Sequence, residues 1–432
     1  MAVVAAALLA HLSLRRPRAA EGVQEPEAAP AVAFASKKEA ANDASAVPVP
    51  KGPWRAAAVG SGSWGNTVAM LVAENTKERK DWVTEVRMQI YDEVVLTEQD
   101  MYGIANLGKA GGNGSIVSVP EGGFGSKLSA IINREHENVK YLPGVKLPDN
   151  LVAEPDMEAT IADADLVVVG VPDQYIIPTC QKMKPFLKKS ARLILLAKGV
   201  EFHDGRLLPV TEVVAKELGF PSEQVCCLMG ANIAKEVAFQ QFSESTLGCR
   251  KGDDLSWLRP IVTRPYFPVA TVRNVEGPQM CGALKNVVAI GKGILDGLGM
   301  SSNTVAALMR IGMKEMKGFI LEFFDVPDLV FWESCCFADL ITTCMSGRNQ
   351  LVGAEFARRQ GTVSFETLER EMLDGQHLQG TITSVPVHQI LKKRGWLQRF
   401  ALLEGVYQVV AGKAKPDSIV EVLKSVPQTI EG

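Results

Sequence analysis

Between residues 54 and 66 a short apolar run, Ala56-Ala57-Ala58-Val59, empties into Gly60-Ser61-Gly62-Ser63-Trp64-Gly65. This is the pattern of a buried strand that hands a G-x-G-x-x-G turn to a helix, and it restricts the fold more than any other stretch of the chain. Glycines at this spacing let the chain turn tightly, let backbone amides approach a pyrophosphate, and let the helix lie close to its strand. The free N–H groups of the helix start then face a dianion. A bare packing turn can carry the same letters, so the context decides.

That context is a repeated theme. Residues 86–92, 165–172, 192–198 and 225–230 read as apolar strands separated by helical stretches. Such alternation predicts an α/β domain with a parallel, doubly wound sheet of Rossmann type, because each crossover helix must cover a sheet face. Asp92, preceded by Tyr91, ends the second strand, where an acid accepts hydrogen bonds from an adenosine ribose and repels a 2′-phosphate. NAD is therefore expected over NADP. The acid lies further from the glycines than usual, and the charged stretch 74–85 reads as a loop insertion that accounts for the offset.

At 432 residues the chain exceeds one ordinary core, and its texture changes twice. Residues 1–53 are rich in alanine and proline, with Arg15, Arg16 and Arg18 but no acid in the first twenty. They read as a disordered extension or an organelle transit peptide; a secretory signal would have its charges before its apolar stretch. Residues 54–273 form the expected dinucleotide-binding domain. From about residue 274 helical periodicity takes over, which predicts an all-α C-terminal domain. Residues 103–125, rich in glycine and serine, read as a surface insertion.

Composition excludes several classes. A formal charge of −3, with bases and acids interleaved, leaves no footprint for nucleic acid. No run approaches the roughly 20 apolar residues of a membrane span. Eight cysteines without C-x-x-C pairs and five scattered histidines give no metal spacing. The thiols are expected to be free and buried.

In the helical part, Cys281-Gly-Ala-Leu-Lys-Asn-Val-Val288 is apolar at helical spacing and places Lys285 and Asn286 inside that pattern. A desolvated lysine has a lowered pKa and suits proton transfer near neutrality, although a structural lysine that snorkels to solvent fits the same letters. Ala338-Asp-Leu-Ile-Thr-Thr343 embeds one carboxylate, Asp339, in an apolar helix, and a buried acid wants a cationic partner. Arg348 and Asn349 follow at a helix end, the ordinary place for surface residues.

Taken together, the residues resemble the NAD-dependent glycerol-3-phosphate dehydrogenases. The matching segments are Gly60-Ser-Gly-Ser-Trp-Gly65, His136-Glu-Asn-Val-Lys-Tyr-Leu-Pro-Gly144, Lys198-Gly-Val200 and Met229-Gly-Ala-Asn-Ile-Ala234. They continue with the segments around Lys285, Asp339 and Arg348, Asp296-Gly-Leu-Gly299, and Asn303-Thr304. The resemblance implies reversible hydride transfer between NADH and dihydroxyacetone phosphate, giving glycerol 3-phosphate. It also implies that Lys285 is the general acid/base, Asp339 its orienting carboxylate, and Asn286 and Thr343 holders of substrate oxygens. Lys198 would bind substrate, and Arg348 with Asn349 would bind the phosphate. Tyr175, Ala234 and Arg348 match cofactor contacts, and Gln376, His377 and Gln379 match a late loop that closes over both ligands. His377 stands where many relatives carry lysine, and Met300-Ser301-Ser302 also departs from the pattern. A homodimer is expected, in the cytoplasm, or in a plastid or mitochondrion if residues 1–53 are a transit peptide. Two other readings stay open: a non-catalytic NAD-binding sensor, and a two-domain dehydrogenase of a hydroxy acid or acyl-CoA.

Overall fold

The computed structural model describes residues 51–96, 125–203, 206–250, 255–373 and 376–426. The first fifty residues and nearly all of the 103–125 insertion lie outside them.

Ala56–Val59 (β1) is buried along its whole length because it runs inside an eight-stranded sheet. The other strands are Val86–Gln89 (β2), Leu151–Glu154 (β3), Leu166–Val169 (β4), Arg192–Leu195 (β5), Val225–Met229 (β6), Ser245–Gly248 (β7) and Val269–Val272 (β8). Their order is β8-β7-β6-β5-β4-β1-β2-β3. Pairing is parallel except where β6 meets β7. Ala57, Val59, Val167, Val169, Leu193 and Leu195 pack on one face, while Ala56, Ala58, Met88, Leu166, Val168 and Ile194 pack on the other. Two dry faces explain strands that are apolar without alternation.

The chain order of strands reverses beside β1, which touches both β2 and β4. In open α/β sheets ligands bind at the carboxyl ends of the strands at such a switch point. The glycine turn leaves β1 there and enters Ser63–Glu78 (α1).

Three features differ from the sequence-based expectation. The strands β3, β7 and β8 were not foreseen, and β7 runs antiparallel to β6, so the sheet is mostly rather than wholly parallel. The stretch 74–85 is only partly a loop: α1 runs 16 residues through Glu78. Arg264 meets Glu74 at 3.3 Å and Glu78 at 2.9 Å, which ties the acids of the last helical turns to the protein. The long offset to Asp92 is thus helix length together with a short link.

The helical part is built around Glu276–Gly297 (α2), whose residues are buried almost throughout. Ser302–Leu321 (α3), Asp339–Ser346 (α4), Arg348–Arg358 (α5), Phe365–Leu373 (α6), Gln379–Arg394 (α7) and Ala401–Val410 (α8) follow. Helices α2 and α5 meet backbone to backbone: a Cβ on Gly293 would strike the Gln350 carbonyl oxygen, and one on Gly353 would stand 2.7 Å from the Ile290 oxygen. The sheet joins the same core, since Cys227 and Met229 of β6 belong to one apolar cluster with Leu284, Val287 and Val288 of α2. All eight cysteines are buried. Among the described residues no helix is long and apolar enough to cross a membrane.

Candidate active site

Two of the three motif glycines are required by the protein itself. Gly60 has φ +101°, and a Cβ there would lie 2.7 Å from the Gly170 oxygen. At Gly65 a Cβ would strike the Gly60 carbonyl, so helix and strand touch only because it is absent. Gly62 differs: its φ of −62° suits any residue, and a Cβ would meet nothing within 4 Å. No packing within the chain demands that glycine. The bare backbone instead leaves room for a ligand, as the second glycine of a dinucleotide turn does for a pyrophosphate.

The turn is held from outside. The Asn138 side-chain amide donates to the Ser61 carbonyl at 3.2 Å, and the Ser63 hydroxyl donates to the Tyr141 carbonyl at 2.6 Å. This is the work of the segment from His136 to Gly144. Trp64 packs edge-on against Phe267, and the Ala234 carbonyl accepts from the Thr67 hydroxyl of α1, which brings Ala234 beside the turn. Tyr91, just beyond the carboxyl end of β2, is 82% exposed, and Tyr175, which ends the short 3-10 turn after β4, is also exposed. Asp92 accepts the Ser129 N–H at 3.1 Å and meets Lys127 at 3.4 Å. Its carboxylate is thus engaged with the start of the Leu128–Glu135 helix, a role the sequence did not indicate.

The second centre is a cavity of about 230 Å³ lined by Lys198, Lys285, Asn286, Thr343, Gly347, Arg348, Asn349, His377, Leu378 and Gln379. Residues as far apart in sequence as Lys198 and Gln379 are gathered here from the end of β5 and from α2, α4, α5 and α7. The β5 strand ends just before Lys198, α2 carries Lys285 and Asn286, the α4–α5 junction carries Thr343 to Asn349, and the start of α7 carries Gln379.

The cavity's chemistry centres on one carboxylate. Asp339, almost fully buried, receives the Lys285 ammonium on Oδ1 and the Lys198 ammonium on Oδ2, the latter at 3.0 Å. Lys198 Nζ also donates to the Gly230 carbonyl at 3.2 Å. Burial and the neighbouring Lys198 charge outweigh the attraction of Asp339, and together they bring the Lys285 amine down to about 7. The segment Ser334–Ala338 before Asp339 is a turn of π-helix, which sets the direction in which α4 starts. Nothing in the letters announced it.

Beside the lysines, the Asn349 amide donates to Asn286 Oδ1 at 3.0 Å, and the Gly380 N–H donates to Asn349 Oδ1 at 3.0 Å. Arg348 donates to Gln376 Oε1 at 2.7 Å, so the late loop reaches back to α5. His377 meets Glu369 at 2.8 Å. Gly347 is the N-cap of α5 and Arg348 and Asn349 are its first residues, so the positive end of that helix borders the cavity. An ammonium near neutrality, a fixed guanidinium and a helix N-terminus around one small space suit a carbonyl or hydroxyl substrate that carries an anionic group.

Comparison with known proteins gives the same direction. The family profile described as NAD-dependent glycerol-3-phosphate dehydrogenase N-terminus matches residues 55–254, and the corresponding C-terminus profile matches residues 274–421. The chain belongs to the NAD-dependent glycerol-3-phosphate dehydrogenase family. The chloroplastic glycerol-3-phosphate dehydrogenase [NAD(+)] 1 of Arabidopsis thaliana is 41% identical over 84% of this chain and 84% of its own. The cytoplasmic enzyme of Homo sapiens is 39% identical over 86% of this chain and 97% of its own. The solved glycerol-3-phosphate dehydrogenase of Saccharomyces cerevisiae superposes with a TM-score of 0.74 at 35% identity, covering 86% of this chain and 99% of that one. The chain is accordingly an NAD-dependent oxidoreductase of this family, with a Rossmann-like sheet and a helical C-terminal part.

Proposed function

We propose that Lys285 is the general acid/base of a reversible reduction of dihydroxyacetone phosphate to glycerol 3-phosphate. The observation that carries this is the hold of the buried Asp339 on Lys285 and Lys198, both of which line the cavity, with the Lys285 amine at about 7. When bound, NADH supplies the hydride. Lys285 gives its proton to the substrate oxygen in reduction and takes the hydroxyl proton in oxidation, and near pH 7 both forms are populated. Asp339 keeps the amine on the cavity wall and balances its charge. Lys198, held by the same carboxylate, is aimed at the substrate, and Asn286 and Thr343 hold its oxygens. Arg348, Asn349 and the N-terminus of α5 receive the phosphate dianion. Gly60, Ser61, Gly62, Ser63, Trp64 and Gly65 hold the cofactor pyrophosphate, and Tyr91, Asp92, Tyr175, Ala234, Arg348, His377 and Gln379 surround the rest of it. The cavity is smaller than the roughly 300–1,000 Å³ of drug-sized sites, in keeping with a three-carbon substrate.

The working form is a homodimer. Its compartment is the cytoplasm, or a plastid or mitochondrion if residues 1–53 act as a transit peptide; relatives include both chloroplastic and cytoplasmic enzymes. NADH absorbance followed with dihydroxyacetone phosphate, pyruvate and acetoacetyl-CoA in turn tests the substrate. Turnover with the first alone is expected, and equal turnover with either of the others refutes the assignment.

A further inference from the structure

The late loop ends where α7 begins, and its fixed point is a buried acid that the sequence did not mark. Glu369 of α6 is only 4% exposed, an expensive place for a carboxylate unless its lone pairs are used. The Leu378 N–H donates to its Oε1 at 2.9 Å, the Thr381 hydroxyl stands 3.4 Å from the same oxygen, and His377 Nδ1 lies 2.8 Å from Oε2. Leu378 is the residue before α7, which has no side-chain cap of its own. Glu369 therefore serves that helix as a remote N-cap through its acceptor oxygen.

The anchored point is not peripheral to the cavity. Two residues on, the Gly380 N–H donates to Asn349 Oδ1, and Asn349 in turn donates to Asn286, the neighbour of Lys285. Gly380 is pressed so closely onto α2 that a Cβ would stand 2.5 Å from the Asn286 carbonyl oxygen. On the other side of Leu378 the loop becomes solvent-facing, with His377 74% exposed and Gln376 reaching Arg348. Anchored and open portions thus meet at one residue.

We propose that Glu369 is a positioning residue for the ligand-binding loop. It pins Leu378, so that residues 378–381 form a fixed floor against Asn286 and Asn349. This rests on the dehydrogenase reading above.

Wild-type enzyme and Glu369→Ala, Glu369→Gln and Glu369→Asp variants are to be compared by steady-state kinetics, thermal melting and hydrogen exchange at the Leu378 amide. Glutamine keeps an acceptor for that amide, whereas aspartate draws it back by one methylene. Expected are KM values for NADH and dihydroxyacetone phosphate raised tenfold or more in the Ala and Asp variants, with the Leu378 amide exchanging at least tenfold faster. The Gln variant should stay within threefold of wild type. If Ala does not fold, Asp carries the comparison. The proposal is overturned if melting temperature falls while the KM values and Leu378 exchange stay put, or if Gln is as impaired as Asp. Failure of the dehydrogenase reading looks different: wild type itself would not oxidise NADH with dihydroxyacetone phosphate, while exchange at Leu378 would still report the anchor.

Discussion

Lys285 and Asp339 lie 54 positions apart, and only one half of their relation could be read from the letters. A lysine in an apolar helical stretch is visible as a misfit, and its desolvation follows from the helix period. That Asp339 carries a second lysine depends on the π turn at Ser334–Ala338 and on where β5 ends, neither of which has a local signature. The sign of the pH dependence follows from the amine at about 7. With Lys285 as the proposed acid/base, ketone reduction uses its ammonium, so kcat should fall as pH rises through about 7, while oxidation uses the free amine and should rise through the same range. Asp339→Asn removes the attraction that favours the charged form, which should move both limbs to lower pH; pH–rate profiles in each direction check this. With Arg348 in its proposed role at the phosphate, Arg348→Ala loses a charge-assisted contact of about 1.5–3 kcal/mol and should raise KM for dihydroxyacetone phosphate on the order of 10- to 100-fold with a smaller change in kcat.

The strands beginning at Ala56, Leu166, Arg192 and Val225 were legible because burial on both faces makes them apolar throughout, the buried Arg192 that opens β5 excepted. β3 and β7 were not, for different reasons. Leu151-Val-Ala-Glu154 is an edge strand with a single buried face, and Ser245-Thr-Leu-Gly248 is buried yet polar, its Ser245 hydroxyl satisfied by the Met229 carbonyl at 3.0 Å. Such a strand looks like a loop until its partner is known. The glycine turn gives a sharp contrast between neighbours. Gly60→Ala meets both a positive φ and the Gly170 carbonyl, and should lower the melting temperature, whereas Gly62→Ala should leave melting unchanged and weaken NADH binding, measured by fluorescence titration. Gly293→Ala forces α2 and α5 apart, and should destabilise the fold by about 1–3 kcal/mol in urea unfolding.

Among the described residues β6 joins the helical core through Cys227 and Met229, so stability and site geometry are linked through α2. Among the acids that hold the helical part, Glu315 of α3 accepts the Leu402 and Leu403 N–H groups at 2.9 Å each, and burial pushes its carboxyl up to about 7. The folded protein keeps that proton between about pH 4.5 and 7, where the unfolded chain has released it. This contribution to stability is complete below about pH 4.5 and is lost as pH rises towards 7. Glu315→Gln should flatten that slope in urea unfolding measured across the range. Residues 1–53 belong to the same scale: fused to a fluorescent protein they should direct it to an organelle if they are a transit peptide, and leave it diffuse if they are not. The catalytic assignment itself stands or falls on Lys285→Met, assayed for NADH oxidation with dihydroxyacetone phosphate alongside NADH binding. A general acid/base contributes on the order of 10²–10⁴-fold, so turnover should fall at least that far while NADH binds as tightly as to wild type. Turnover within a few-fold of wild type, or loss of NADH binding in a folded variant, would contradict it.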